Sequence, residues 1–378
     1  YQMFLFSGDY FRNFFAKPGG ISDYIGNFFT QFYFYSWVGA ITLAILLVLL
    51  QRAVWFISLN LSANPVFFPL TVVPSLLYWG LFCDENYLLG GLIAMLLVAG
   101  SMAIYTIIES TKIRLVFVWI ALPVLYWMAG GVFLLLPLFA LFFEIMKREL
   151  KIVQLLGWAI ISGVLSYAIP TLCKAWFLQY PLRQVWLGVN YFRFPVSVPV
   201  SVGIIVILLV VIPFALYYLS NSIKRDNSKA LIIGQLAVMI LGGYFLISHS
   251  ADMSKEEVMA YDFNCRMRRW DHVIAMADKK TPATPLSVTC LNLALAKEDL
   301  LGERMFRYFQ KGVGGLMPDF VRDYTIPMIS GEVYYHLGFI NTAQRFAFEA
   351  MEALPDYQKS SRAVMRLAET NIINGNYE

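Results

Sequence analysis

Three carboxylates in this 378-residue chain stand beside apolar stretches, where they could do chemistry. Asp9 precedes the first apolar stretch, and Asp84 and Glu85 form a pair between the second and the third. Carboxylates that converge from two such segments could bind a divalent cation or serve as a general base. The alternative is local, with Asp84 and Glu85 capping a helix that starts at Tyr87 and Asp9 as a solvated charge.

Three basic side chains form a second candidate group. Lys174, Arg183 and Arg193 lie in the segment 171–196 among tryptophan and tyrosine residues. They could hold a phosphate or another anionic headgroup. The same pattern is typical of Lys and Arg side chains that extend from an aromatic belt at a membrane surface. Both interpretations stay open.

Motifs of familiar enzyme classes are absent from the sequence, which has no HExxH, P-loop, GxSxG or strand-linked GxGxxG. The histidines at 249, 272 and 336 are scattered, so neither a histidine base nor a zinc site is expected. Ionisable residues are almost absent from the apolar stretches, apart from Glu144. This scarcity disfavours a proton- or ion-coupled transporter.

Membrane helices are the elements that must position these residues. Hydrophobic residues make up 59% of the chain and charged residues 14%, against roughly a quarter charged in an ordinary soluble domain. Basic residues follow every second apolar stretch, a bias that sets those loops in the cytoplasm. The net charge of +4 is small, so nucleic acid is not an expected partner. These basic residues are Arg52, Lys112, Arg114, Lys147, Arg148, Lys151, Lys224, Arg225 and Lys229.

The expected fold is all-α, a polytopic transmembrane bundle followed by an extracytoplasmic helical repeat domain. Residues 36–250 are predicted to hold about eight spans of bilayer length. The stretch 114–146 is too long for one span, and a break at Gly130 and Gly131 keeps Lys147 on the side of the other basic loops. The predicted spans are 36–50, 66–82, 87–108, 114–128, 130–146, 152–170, 197–219 and 230–248.

Eight spans set residues 1–35 and residues 251–378 on the same, extracytoplasmic side. Residues 1–35 are predicted to form an external loop with a helix along the membrane interface, its aromatic side chains toward lipid and its charges toward water. In residues 251–378, the segment 334–355 has the small-residue spacing and terminal proline of a tetratricopeptide repeat. The weaker copy around Leu367 lacks a second helix, so we expect the domain to continue beyond Glu378.

Several stretches resemble a bacterial family of multi-pass membrane proteins with tetratricopeptide-like tails, whose function is unknown. The resemblance extends over essentially the whole chain and implies the architecture without an activity. It rests on residues 8–11, 18–20, 29–32, 83–86 and 292–378.

The chain also resembles the GT-C superfamily of membrane glycosyltransferases, which use polyprenyl-phosphate sugars. Those enzymes have an acidic residue and an interfacial helix in the first external loop, acidic residues in a later external loop, and often an external domain. Asp9, the helix near residues 23–34 and the Asp84–Glu85 pair are similar in position. No DxD motif occurs in the first loop of this chain.

The leading hypothesis is therefore a GT-C-like glycosyltransferase at the outer face of the bacterial cytoplasmic membrane, with membrane lipid and a polyprenyl-phosphate-linked substrate as partners. Asp9 would be base or metal ligand, and Asp84 and Glu85 would complete an acidic site that could take a divalent cation. The carrier phosphate would be held by Lys174, Arg183 and Arg193. The alternative is a non-catalytic scaffold whose repeat domain docks an envelope protein. A transporter or lipid flippase is the third hypothesis.

Overall fold

The computed structural model describes residues 3–192, 198–220, 228–318, 321, 326–353 and 359–377, and these residues form helices and turns without a strand. They fold as two compact units. The membrane unit is Phe4–Ala251, and the C-terminal unit is Met3 together with the residues from Asp252 onward. The helices of the membrane unit are α1 (Gly8–Phe15), α2 (Gly20–Thr30), α3 (Ser36–Asn60), α4 (Val73–Leu81), α5 (Gly90–Ile107), α6 (Thr111–Ala129), α7 (Leu135–Lys147), α8 (Ile152–Trp176), α9 (Leu182–Leu187), α10 (Val200–Ser220) and α11 (Ser228–Ser250).

Six segments of the described chain are long and apolar enough to cross a membrane, which confirms a multi-pass membrane protein with an all-helical fold. A shorter apolar segment, Pro65–Leu81, joins a 3-10 turn to α4. Each of the eight predicted spans coincides with a helical segment, because the longest of the six contains two of them and Pro65–Leu81 corresponds to the span 66–82. The six are Ser36–Asn60, Gly90–Ile107, Thr111–Lys147, Ile152–Trp176, Val200–Ser220 and Lys229–Ser250.

The longest segment, Thr111–Lys147, folds back on itself at Gly130. This glycine has φ 63° and ψ −149°, a conformation that is essentially restricted to glycine. Arg114 in α6 and Glu144 in α7 form an ion pair with 2.6 Å between Nε and Oε1. In one straight helix these residues would lie about 45 Å apart. The chain therefore reverses at the predicted break, and α6 and α7 form a hairpin.

The first predicted span is longer than expected. α3 continues to Asn60, so Gln51 and Arg52 lie inside the helix and not in a basic loop. Gln51 donates a hydrogen bond of 3.0 Å to Thr71 Oγ1, and the Arg52 guanidinium lies 5.5 Å from the centre of the Phe68 ring. Partners on the neighbouring segment thus accommodate both polar side chains. The prediction that Arg52 marks a loop is wrong.

Contacts between helix ends define two ends of the membrane bundle. The Asn60 amide donates to Thr106 Oγ1 at 2.7 Å, and the backbone N–H of Asn64 donates to Ser220 Oγ at 2.7 Å. Arg114 donates to the carbonyl of Ile108 at 3.1 Å. We call this the basic end, because Lys112, Lys147, Arg148 and Lys151 all lie here.

The other end, called the opposite end, gathers the longer connecting segments. Trp127 at the end of α6 donates to the carbonyl of Phe15 at 2.9 Å, and the N–H of Leu88 donates to the carbonyl of Tyr191 at 2.8 Å. Residues 4–35, 82–89 and 177–192 therefore meet at this end. The described basic clusters and these segments lie at separate ends, as the sequence predicted.

The outer faces of the bundle are apolar. Ile160 of α8, Ile207 of α10 and Ile240 of α11 are each more than 60% exposed. Only 6% of the apolar span in α11 is buried within the protein. Such a belt is unfavourable in water and is what hydrocarbon chains would cover.

The C-terminal unit is built from short helices. α16 and α17 form a hairpin through Gly338, which has φ 84°. Ala343 and Ala350 are fully buried, and Phe346 of α17 packs on Gly331 of α16. The helices are α12 (Met253–Arg266), α13 (Trp270–Lys279), α14 (Pro285–Lys297), α15 (Leu301–Arg304), α16 (Ile326–His336), α17 (Ile340–Glu352) and α18 (Ser361–Ile373).

Candidate functional site at the opposite end

Helix α2 lies inside the opposite end and packs against α5 and α6. Its buried face is small and polar, and it includes Ser22, Gly26 and Asn27. A Cβ atom on Gly26 would lie 2.7 Å from the backbone nitrogen of Gly90, so the two glycines allow the helices to touch. Ser22 fixes the contact with α6 by donating to the carbonyl of Met128 at 2.7 Å.

A charged pair is buried beside this helix contact. The carboxylate of Asp23 is 7% exposed and lies 3.5 Å from Lys17 Nζ, which is 17% exposed. Burial raises the pKa of the Tyr191 hydroxyl, and the negative charge of Asp23 raises it further. The expectation that charges of residues 1–35 face water is therefore wrong for Asp23. The sequence missed this pair because a separation of six residues across a turn has no characteristic periodicity.

Two glycines bring the α6–α7 turn against the segment 177–192. Gly130 and Gly188 both have positive φ, and a Cβ atom on Gly130 would lie 2.6 Å from the carbonyl oxygen of Leu187. The Tyr126 hydroxyl donates to the carbonyl of Val185 at 2.9 Å. Close backbone packing thus holds the segment that carries Arg183.

Two of the predicted acidic residues, Asp9 and Asp84, contact residues close to them in the chain. Asp9 lies in the first turn of α1, 89% exposed, with its carboxylate 3.6 Å from Arg12 Nη1. The carboxylate of Asp84 is exposed and accepts the N–H of Asn86 at 2.9 Å. It closes a turn and does not cap a helix at Tyr87, since α5 starts at Gly90. Glu85 is half-buried in the same turn.

A divalent cation requires several oxygen donors around one point. Within the residues that the structure describes, no group of three or more His, Cys, Asp or Glu side chains could hold a metal ion. Asp9, Asp84 and Glu85 form no such group there, and their metal-binding role stays a prediction. The catalytic roles of these residues stay predictions.

The predicted phosphate-binding residues also lie at the opposite end. Lys174 is in the last turn of α8 and Arg183 is on α9, and both are exposed. Arg193 lies outside the described residues. The two helices contact each other through Tyr167 and Trp186, whose ring centres are 5.9 Å apart. The described members of both candidate groups therefore share one end of the bundle.

Among the described residues of the membrane unit, the most enclosed charges lie at the basic end, and they were not predicted as a pair. Arg114 is 3% exposed, and its Nη2 lies 3.1 Å from Glu144 Oε2. Glu144 also accepts the Tyr105 hydroxyl at 2.7 Å, and Arg114 reaches Glu149 at 3.0 Å. These contacts join α5, α6 and α7. A lone glutamate in an apolar stretch is the signal that could have identified this pair.

A second enclosed cluster lies in the C-terminal unit. Glu332 of α16 contacts Arg366 of α18 at 2.8 Å and His336 at 3.4 Å. Burial acts to raise the pKa of Glu332, but His336, Arg362 and Arg366 outweigh it and lower the pKa to about 2. Arg362 in turn forms two hydrogen bonds, of 2.7 and 2.8 Å, with the carboxylate of Asp262.

One comparison with known proteins returns a match. A family model described as "Family of unknown function (DUF6057)" matches residues 1–378. No curated protein and no solved structure matches the chain. The comparisons thus provide no activity to test against the geometry.

Proposed function

Since the chain belongs to that family of unknown function, we propose from its geometry that it is a membrane-anchored docking protein. Its C-terminal unit would act as a tetratricopeptide-like repeat that binds a protein partner of the cell envelope. One observation carries this proposal. Arg362 donates to the Met328 carbonyl at 3.0 Å and Arg366 to Glu332 at 2.8 Å, and each pair is separated by 34 residues.

This separation supports a repeat because tetratricopeptide units recur every 34 residues. α16 and α18 then correspond to first helices of consecutive units, with α17 between them. Gln344 of α17 donates to Asn371 of α18 at 2.8 Å, and Asn374, which follows α18, donates to Asn341 of α17 at 3.0 Å, so these helices are antiparallel. Alternating antiparallel helices with buried alanines are the packing that such a repeat requires.

An exposed stripe on α18 supplies a docking face. Met365 is 62% exposed and Ile372 is 60% exposed, and they are seven residues apart, two turns along one side of the helix. An apolar helix of a protein partner would bury both side chains.

Photocrosslinking of the full chain in native membranes tests this docking face. A photoreactive amino acid at Met365 should give a discrete protein adduct that is lost when Ile372→Glu is added. The same amino acid at Arg345, an exposed position on α17, is the matched control. An adduct pattern that is identical at both positions, or unchanged by Ile372→Glu, would contradict the proposal.

The proposed topology has eight spans, the basic end in the bacterial cytoplasm and the C-terminal unit outside the cytoplasmic membrane. Reporter fusions after Lys151 and Lys229 should therefore read cytoplasmic, and a fusion after Ala260 should read extracytoplasmic. A cytoplasmic signal after Ala260 would rule out the envelope partner and the external site together.

A second candidate function is glycosyl transfer from a polyprenyl-phosphate sugar. The observation that favours it is the common location of Asp9, Asp84, Glu85, Lys174 and Arg183 at the opposite end. In this proposal Asp9 takes the proton of the acceptor hydroxyl, and Lys174 and Arg183 bind the carrier phosphate. Asp84 and Glu85 lie beside the same site.

The substitution Asp9→Asn tests this second function, because it keeps the shape of the side chain and removes its charge. Transfer of radiolabelled sugar from polyprenyl-phosphate donors by membranes that contain the full chain should be lost, while expression is kept. Asp271→Asn, at an exposed position of α13, should leave transfer unchanged. Equal transfer by the wild type and Asp9→Asn would remove Asp9 from the mechanism.

A further inference from the structure

Side-chain hydrogen bonds to α13 and α14 fix the loop Met305–Val313 of the C-terminal unit, called loop 305–313. The hydroxyl of Tyr308, which is 7% exposed, donates to Asp278 Oδ1 at 2.5 Å. Arg304, the last residue of α15, donates to the same carboxylate at 2.8 Å. These contacts fix the first half of loop 305–313 on α13.

A second set of contacts fixes the other half on α14. The Asn292 amide donates to Gln310 Oε1 at 2.9 Å and to the carbonyl of Gly315 at 2.9 Å. Thr289 Oγ1 donates to the carbonyl of Gly314 at 3.0 Å. Loop 305–313 therefore has a defined conformation without any apolar side chain at its tip being buried.

Large apolar side chains project outward between these contacts. Phe306 is 85% exposed, Phe309 is 70% exposed and Val313 is 80% exposed. Such exposed side chains make few packing contacts within the unit, and their apolar area is unfavourable in water. A fixed loop with an unburied apolar tip indicates a surface that another phase or molecule covers.

The charges of the loop identify that surface. Arg307 and Lys311 are exposed between the apolar residues, and residues 305–318 contain no acidic side chain. Lys311 Nζ lies 4.9 Å from the centre of the Phe309 ring. Phenylalanine beside Lys and Arg is the composition that binds an anionic membrane interface, with rings among the acyl chains and cations at the phosphates.

The C-terminal unit is attached to a membrane-span candidate by a short connection. Only Ala251 and Asp252 separate α11, a membrane-span candidate, from α12, the first helix of the C-terminal unit. Two residues extend at most about 7 Å. We propose that loop 305–313 inserts Phe306, Phe309 and Val313 into the headgroup region of the membrane, so that the C-terminal unit lies on the lipid surface.

Photolabelling by lipid tests this proposal on the full chain. Photoreactive benzoylphenylalanine in place of Phe309 should crosslink to radiolabelled phosphatidylglycerol in reconstituted vesicles. The same replacement at Phe348, an exposed position on α17, is the matched control and should stay largely unlabelled. Both replacements add bulk at exposed phenylalanines, so folding is retained.

A charge reversal separates the apolar contribution from the electrostatic one. Arg307→Glu together with Lys311→Glu should lower labelling at position 309 strongly in phosphatidylglycerol vesicles and weakly in phosphatidylcholine vesicles. Equal lipid labelling at positions 309 and 348 would overturn the proposal. Crosslinking of position 309 to a second copy of the chain in place of lipid would overturn it as well.

Discussion

Each unit encloses a glutamate that pairs with arginine from another helix, but the two clusters differ in the further carboxylate partners that the arginines have. In the membrane unit, Arg114 pairs with Glu144 among apolar helices, and its second carboxylate, Glu149, is 41% exposed. In the C-terminal unit, Arg362 also has Asp262, and Arg366 also has Glu369 at 2.7 Å. A charge buried among apolar side chains depends mainly on one ion pair. In the C-terminal cluster, several carboxylates share the neutralisation of the arginines.

The largest effect is expected from Glu144→Ala at the basic end. The change leaves Arg114 buried with the partly exposed Glu149 as its remaining carboxylate partner, and it should cost about 3–5 kcal/mol of unfolding free energy. Glu149→Ala is the control, because that side chain is 41% exposed and its loss should cost at most about 1 kcal/mol. Denaturant titration of the full chain in detergent micelles measures both. Equal losses would mean that Glu144 is not the essential partner.

An acid titration should reveal the cluster around Glu332. Its folded pKa of about 2 lies below the ordinary value of 4.5, so its stabilisation is complete above about pH 4.5 and is lost as pH falls toward 2. At 1.36 kcal/mol per pKa unit this corresponds to about 3 kcal/mol. The protection factors of the α16 and α18 amides, which are exchange rates corrected for the intrinsic effect of pH, should therefore fall through this window in the wild type. Glu332→Gln should show a flatter pH profile, and an unchanged profile would refute the assignment.

A pair of glycine substitutions sharpens the comparison of the two units at their hairpin turns. Gly130 and Gly338 both have positive φ, but a Cβ atom on Gly338 meets nothing within 4 Å, whereas one on Gly130 meets the Leu187 carbonyl. Gly338→Ala should cost about 1–2 kcal/mol for backbone strain alone. Gly130→Ala should cost more, because the clash is added. The same denaturant titration compares them. Equal costs would show that the 177–192 segment moves away from the added methyl group with little loss of stability.

The positions of the membrane helices could be predicted from the sequence, because lipid permits few alternatives to a continuous hydrogen-bonded helix. The break at Gly130 was also predictable, since the glycines and the basic loop at Lys147 agreed. The end of α3 was not. Gln51 and Arg52 were interpreted as a loop, and only the positions of Thr71 and Phe68 explain why the helix continues.

The candidate site was predictable only as a set of residues at one end of the bundle. Alternation of the spans brought Asp9, Asp84 and Lys174 to the same end. Which side chains pair there depends on tertiary contacts, and the buried pair proved to be Lys17 and Asp23. Sequence spacing contains no information on such contacts without a regular period.

The ion pair of the α6–α7 hairpin also has a consequence for biosynthesis. When α6 emerges from the ribosome, Arg114 is present and Glu144 follows 30 residues later. A lone arginine among apolar side chains in a membrane is costly, and pairing with a carboxylate offsets part of that cost. We therefore expect the insertion machinery to release α6 and α7 into the bilayer together, as one electrically balanced insertion unit.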